Sequence, residues 1–311
     1  MEFEAPDWKL LYSSLSRKKR FAFCPVGYYL HHVAGRDGYA GMPDEWHYRV
    51  YAAKHILAGK SWCKALFREC VREFFTPGAN FRKRKFENFL RAAFERKFTL
   101  LESGAYRDDP KTVNAVLEIE ERRWNTADFY EQALYILDNL SSKFTAGKLF
   151  VELLKTPVLD FRSRGENFYQ WQLGGVVFYN PPDLVWKCNN KLRILDLNSY
   201  TFEQERDRAA MLYKVYVCKF YSVSAADTDV LHYDLCSGVT ETVENCAENF
   251  EDVFRKLSGE AAMWRDYLVK QHSDGKIGKW NFARTDNCPE CRFKEICPAR
   301  NGTAINIDDS I

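Results

Sequence analysis

The chain has 311 residues, a formal net charge of +2, and 46% hydrophobic and 15% aromatic content. That length allows one elaborated domain or two small ones, and that composition supplies a sizeable core and excludes a disordered chain. No long uncharged apolar run predicts a transmembrane helix, and MEFEAPDWKLL does not read as a signal peptide.

In chain order, residues 44–75 read as one long helix, with Trp46, Val50, Ala53 and Leu57 at helical spacing, broken by Pro77-Gly78. A second helix is expected over about 80–98, with Phe81, Phe86, Phe89, Leu90 and Phe94 on one side and bases on the other. A third helical region spans roughly 111–154 in two pieces. From Val158 to Leu197 the pattern turns to period two and continuous apolar runs. VLDF, FYQWQL, GGVVFY, DLVWKC and LRILDL are strand candidates, with turns at Gly174-Gly175, Pro181-Pro182 and Asn189-Asn190. Helix returns over 203–220, short strands follow around 214–243 and overlap that boundary, and a last helix is expected at 246–270. With no internal repeat or low-complexity linker, 1–311 reads as a single domain. Its helical portion covers about 20–155, its sheet core about 156–245, and a helix with a C-terminal cysteine segment about 246–311.

Charge is spread unevenly along this order. Between Lys60 and Lys97 there are eleven Lys or Arg against four Glu, including Arg82, Lys83, Arg84 and Lys85 in succession. Such a surplus suits a phosphate backbone or, equally, a solvated helix face. Trp62, Phe81 and Phe86 have rings able to stack on bases, but their helical spacing favours the core.

Ten cysteines without a secretion signal point to a reducing, cytoplasmic compartment, where spaced cysteines more often bind metal than form disulfides. Cys288, Cys291 and Cys297 form a C-x2-C-x5-C run, and Cys24 opens a Cys-Pro turn near the other end. Thiolate centres want four ligands, so Cys24 is the best partner for the other three. The spacing favours an iron–sulfur cluster, of the 4Fe–4S type, over zinc, because a zinc ribbon normally brings two C-x2-C pairs, and over free thiols without a metal. Cys63, Cys70, Cys188, Cys218, Cys236 and Cys246 lack ligand spacing and read as buried thiols.

Asp183 follows a Pro-Pro turn and Asp196 ends the next apolar strand. Carboxylates on adjacent strands can share one Mg²⁺ or Mn²⁺, which would activate water for attack on a phosphate. The order of one N-terminal Cys, helices, Pro-Asp strand, Asp strand, amphipathic helix and three C-terminal cysteines resembles the PD-(D/E)XK nucleases. The nearest branch is the RecB type with an iron–sulfur cluster, including CRISPR-associated exonucleases and AddB-like proteins. The resemblance runs from about Phe21 to Arg300 and implies a restriction-endonuclease-like α/β fold: a mixed sheet flanked by helices, with a helical N-terminal portion and a cysteine-bound C-terminal subdomain. Asp183 and Asp196 match the family's two metal-binding acids.

The rest of the catalytic set departs from the pattern. Asn198 stands where the family has its Lys, Lys64 and Arg68 replace the Gly and His of its helix motif, and Ala209 replaces a Gln ahead of the matching Tyr213. An inward-pointing Arg68 could pair with Asp183 or Asp196 and occupy the metal's place. The implied function is an iron–sulfur nucleic-acid-binding subunit without catalysis, acting on DNA beside a protein partner in a DNA-processing or defence complex. Lys64, Arg68, Arg82, Lys83, Arg84, Lys85 and Tyr213 are its candidate contacts. Two rivals stand beside it: a Mg²⁺- or Mn²⁺-dependent exonuclease using Asp183 and Asp196 with Lys187 in place of the missing Lys, and a protein-binding scaffold.

Overall fold

A computed structural model describes residues 11–13, 20, 23–35, 45–76, 85–159, 170–173, 176–179, 181–200, 203–243, 255, 258–259, 262, 288 and 291–297. After a short strand β1 (Leu11–Ser13), helix α1 (Pro25–Tyr29) starts at Cys24, whose Sγ accepts from Gly27 N at 3.3 Å, with Pro25 in the first turn.

The helix expected over 44–75 is two helices. α2 (Glu45–Lys54) and α3 (Gly59–Phe74) are separated by β2 (Ile56–Leu57), which pairs in parallel with β3 (Ala115–Val116). Helical periodicity runs through the break, but a non-local strand pairing captures Ile56 and Leu57. Ala58 offers no side-chain cap to α3, and the Glu118 carboxylate does the work instead, accepting from Gly59 N at 2.8 Å. Gly59 lets α3 start close against Trp124, where a Cβ would stand 3.0 Å from the ring.

Helix α4 (Phe86–Glu102) begins later than the sequence pattern suggested; Pro77-Gly78, Phe81 and Arg82 to Arg84 lie outside the described residues. The region 111–154 holds β3, a single turn α5 (Leu117–Glu120), α6 (Thr126–Thr145) and α7 (Lys148–Lys155) rather than two helical pieces. α6 opens on a capping box in which Asn125 and Asp128 satisfy each other's backbone N–H.

Four of the five strand candidates form: β4 (Gln170–Leu173), β5 (Val176–Tyr179), β6 (Leu184–Cys188) and β7 (Lys191–Asp196). Of VLDF, Val158 makes only an isolated bridge to Trp186, and residues 160 and 161 lie outside the described set. Helix α8 (Glu203–Tyr221) runs on through the place where strands were expected to begin, so β8 (Thr228–Tyr233) and β9 (Thr240–Thr242) start after it. The helix expected at 246–270 is described only at 255, 258–259 and 262, all helical.

The strands β6, β7, β8 and β9 form one mixed sheet in that order, antiparallel, parallel and antiparallel in turn. The β6–β7 hairpin turns on Asn189 and Asn190, both at positive φ (49° and 63°), the geometry that a two-residue hairpin with right-handed strand twist requires. α8 is the crossover that makes β7 and β8 parallel. β1, β5 and β4 form a second, three-stranded sheet, with β1 parallel to β5.

Alternation along the strands puts one face of the mixed sheet on α8 and the other on the helical layer. Val185, Leu192, Ile194 and Val230 pack with Ala209, Ala210, Tyr213 and Val217 of α8. On the opposite face Leu184, Trp186, Leu195, Leu231 and Tyr233 pack with α3, α4, α6 and α7. Trp62 and Phe86 belong to this second core, at 3% and 1% exposure, so neither ring is available to a base. An α/β fold with a mixed four-stranded sheet between helices is thereby established.

Candidate functional site

The end of the β6–β7 pair carries both acids. Asp183 immediately precedes β6, its backbone N–H donating to the Leu195 carbonyl at 2.9 Å, and Asp196 is the last residue of β7. Facing them is α3. Its residues Lys64, Arg68 and Arg72 are spaced one turn apart and so lie along one stripe of the helix.

Asp183 is completely buried and doubly clamped. Its Oδ1 accepts from Arg68 Nε (3.3 Å) and Nη2 (3.0 Å) and from Arg72 Nε (2.7 Å). Its Oδ2 accepts from Leu197 N at 2.7 Å and from Arg68 Nη2 at 3.2 Å. Burial alone would push this carboxyl up. The two guanidiniums and the Leu197 N–H outweigh burial and hold it below the usual carboxylate range. Burial likewise opposes the charge on Arg68, and Asp183 restores it.

Asn198 ties this pair to the second acid. Its Oδ1 accepts from Arg68 Nη1 at 2.7 Å, while its Nδ2 donates to Asp196 Oδ1 at 2.6 Å and to Tyr213 Oη at 2.8 Å. Tyr213 Oη in turn donates to Asp196 Oδ1 at 3.2 Å, and Asn198 N reaches the same oxygen at 3.0 Å. On the next strand His232 stands level with Asp196, its Nδ1 3.4 Å from Asp196 Oδ2. The result is a continuous chain: Arg72, Asp183, Arg68, Asn198, Asp196, Tyr213. Every link pairs donor with acceptor, so the cluster is internally balanced.

Of the two acids, Arg68 pairs directly with Asp183, and Asn198 stands between it and Asp196. Asp183 has no oxygen directed at open space, so a Mg²⁺ or Mn²⁺ bridging the two acids does not fit these residues as they stand.

Two site assignments need correction. Lys187 is exposed and pairs with Leu192 in mid-hairpin, four residues along β6 from Asp183, about 13 Å away at strand rise. It lies too far along the strand to act at the acids. Tyr213 is fully buried, with burial and Asp196 pushing its phenol well above the ordinary range. It positions Asp196 and cannot touch a nucleic acid. Ala209, also fully buried, packs in the α8 core.

Two partners were missed from sequence. Arg72 continues the stripe begun by Lys64 and Arg68, a signal available in the helical spacing. His232 reaches Asp196 only through the parallel β7–β8 register, which no local pattern reveals.

The Asp183 pairing has a pH signature. Its folded pKa is depressed, so the stability it contributes is complete above the unfolded value, about 3.9, and is lost as pH falls toward the folded value. Denaturant midpoints measured from pH 7 down to 2 should therefore drop for the wild type below about pH 4 and change less for Asp183→Asn. Parallel curves for the two proteins would show that the carboxylate is not held as described.

Around the site the basic residues divide. Lys64 donates to Ser199 Oγ and Cys236 Sγ, both at 3.2 Å. Arg91 pairs with Asp138 and Lys97 with Glu69, which neutralises part of the surplus. Lys85 is exposed at the start of α4.

Three of the four spaced cysteines share one small core, which joins the N-terminal segment to the C-terminal one. Cys24, Cys291 and Cys297 pack against one small core built from Val26, Leu30, Val50, Phe293 and Ile296. Burial pushes the Cys291 thiol up, and Cys24 and Cys288 both lie close enough to add to that push. Cys288 and Cys291 are joined in a turn by Cys291 N to the Cys288 carbonyl at 3.2 Å. Among the described residues no group of three His, Cys, Asp or Glu side chains is gathered in a geometry that holds a metal ion.

Of the remaining cysteines, Cys63, Cys70 and Cys218 are buried as expected, and burial pushes the first two up to about 12. Cys188 is half-buried, Cys246 lies outside the described residues, and Cys236 is exposed, contrary to expectation, because it sits in the turn between β8 and β9. No described helix is long and apolar enough to cross a membrane. Compared with known proteins, the chain matches no family model, no curated protein and no solved structure.

Proposed function

We propose that the chain is a nuclease-derived protein of restriction-endonuclease-like fold that binds nucleic acid, DNA foremost, without cutting it. It serves beside a protein partner in a DNA-processing or defence complex. The observation that carries this reading is the clamp on Asp183. A nuclease acid must offer open oxygens to a cation that activates water and steadies phosphate charge. Here Arg68 and Arg72 fill that position with fixed positive charge. Asn198, in place of a Lys, supplies a neutral amide that holds Arg68 and Asp196 together and offers no ammonium to an attacking water.

In this reading Cys24, Cys288, Cys291 and Cys297 hold a 4Fe–4S cluster, or zinc in its place. When bound, that group supplies thiolate bonds that fasten the N-terminal segment to the C-terminal one. The chain's own contribution there is the shared apolar base on which Cys24, Cys291 and Cys297 pack.

Binding would fall to cations that pair with no carboxylate among the described residues, Lys64, one turn before Arg68 on α3, and Lys85 at the start of α4, with Arg82, Lys83 and Arg84 outside the described residues. The test uses the full chain with a labelled single strand and a labelled duplex. Binding is expected to weaken about tenfold or more between about 50 and 200 mM salt, as three or more phosphate contacts require. Lys64→Glu with Lys85→Glu should weaken it further, and neither DNA should be cut in Mg²⁺ or Mn²⁺. Metal-dependent cleavage abolished by Asp183→Asn would overturn the assignment, and salt-insensitive or absent binding would remove the nucleic acid from it.

A further inference from the structure

All four basic residues of α3, Lys60, Lys64, Arg68 and Arg72, fall at every fourth position. Residues so spaced form one ridge on a helix surface, each about 6 Å further along the axis. The helix's two acids, Glu69 and Glu73, occupy a different row, and Glu69 is turned to Lys97 of α4 at 2.7 Å. Like charges four residues apart weaken a helix, and a cation in the first turn, where Lys60 stands, also opposes the helix dipole. At its Lys60 end the row therefore costs the helix stability, and folding alone does not account for it.

At the other end the row is fixed from beneath. Asp183 is wholly buried, whereas the Arg68 and Arg72 side chains that grip it keep 24% and 30% of their surface. The acid thus lies below and the cations above it. Arg72 holds Asp183 Oδ1 through Nε (2.7 Å) and Nη2 (2.5 Å), one edge of its planar fork. That grip directs Nη1, with two further N–H groups, away from the acid. Between the two ends Lys64 rests its ammonium on Ser199 Oγ and Cys236 Sγ, and Lys60 is exposed.

We propose that this ridge is a phosphate-binding surface, on which Lys60, Lys64 and the Nη1 edge of Arg72 contact phosphates along one nucleic-acid strand. Asp183 is the positioning residue that fixes Arg72 before the ligand arrives, so little side-chain freedom is lost on binding. This rests on reading the chain as a nucleic-acid-binding protein, and it assigns the Asp183 clamp a role in that binding.

The test uses the full chain as wild type, Lys60→Gln, Arg72→Gln and Arg91→Gln, the last removing a cation of α4 that pairs with Asp138. Binding of a labelled DNA single strand is measured across about 50 to 200 mM salt, together with the thermal midpoint of each protein. Calorimetry with tripolyphosphate is the second arm, since it presents the same chemistry without a strand. Each ridge variant should make the slope of log affinity against log salt shallower by about 0.7, the value of one phosphate contact on a single strand. Arg91→Gln should leave the slope unchanged. Lys60→Gln should lower affinity while keeping or raising the thermal midpoint, a combination that a purely structural lysine would not give.

Folded Lys60→Gln and Arg72→Gln that bind the strand with the wild-type slope overturn the ridge and leave the nucleic-acid reading standing. So does an equal loss in Arg91→Gln, since net charge alone would then be acting. Should Arg72→Gln fail to fold, Lys60→Gln decides in the same way. A wild type that ignores DNA but binds tripolyphosphate, less well in both ridge variants, keeps the ridge and removes the nucleic acid. One that binds neither removes both.

Discussion

Replacing Asp183 with alanine is expected to destabilise the fold by about 3–5 kcal/mol, the range found when one partner of a buried ion pair is removed. The carboxylate is fully buried and receives both guanidiniums and the Leu197 N–H. Its loss leaves Arg68 and Arg72 facing each other across the vacated position, with a backbone donor unsatisfied as well. Chemical denaturation of wild type and Asp183→Ala at neutral pH reads the effect directly. The sign carries information. Where two acids face one another awaiting a cation, deleting one relieves repulsion and leaves the apo fold as stable or more so. A cost of several kcal/mol therefore indicates a pair satisfied from within, and a change below about 1 kcal/mol would contradict the clamp.

Phe144→Ala is expected to cost a similar amount, about 3–5 kcal/mol, for an apolar reason. Phe144 is fully buried near the end of α6. Its ring lies 5.6 Å from Phe67, 5.5 Å from Phe86, 5.3 Å from Phe150 and 5.4 Å from Tyr233, mostly edge to face. Phe67 belongs to α3 and Tyr233 to β8, so this ring joins the helix that carries Arg68 and Arg72 to the sheet that carries His232 and, one strand over, Asp196. Truncation opens a cavity at that junction. Denaturation should show the loss in stability, and the acid-sensitive part of wild-type stability should shrink with it as the clamp loosens. A cost below about 1 kcal/mol would mean that the surrounding rings close the gap.

Local chemistry made much of this site readable in the sequence. Asp183 and Asp196 could be placed because apolar runs and the Asn189-Asn190 turn define adjacent strands, and the hairpin register follows from the turn. A cation at position 68 of α3 could be matched to an acid, but the choice of Asp183 over Asp196 comes only with the packing of that helix. Arg72 lies one turn further along the same stripe, so the helical spacing carried its signal as well. Tyr213 illustrates the opposite error. A tyrosine on an amphipathic helix near a basic surface can face outward or inward, and only the packing of α8 on β7 and β8 decided for inward. The break at His55 to Ala58 was beyond local reading. Helical spacing continues across it, and the competing partner, Ala115–Val116, lies some sixty residues away.

The Asn198 bridge bears on how much change the site tolerates. Its amide touches Arg68, Asp196 and Tyr213 at once. Opening Asp183 to a cation would require altering Arg68, Arg72 and Asn198 together. Arg68→His alone strands half of Asp183 and leaves the Asn198 carbonyl without its donor, while Asn198→Lys alone sets an ammonium against a guanidinium. Each single replacement therefore gives a less stable protein, and the interlocked side chains hold one another in place.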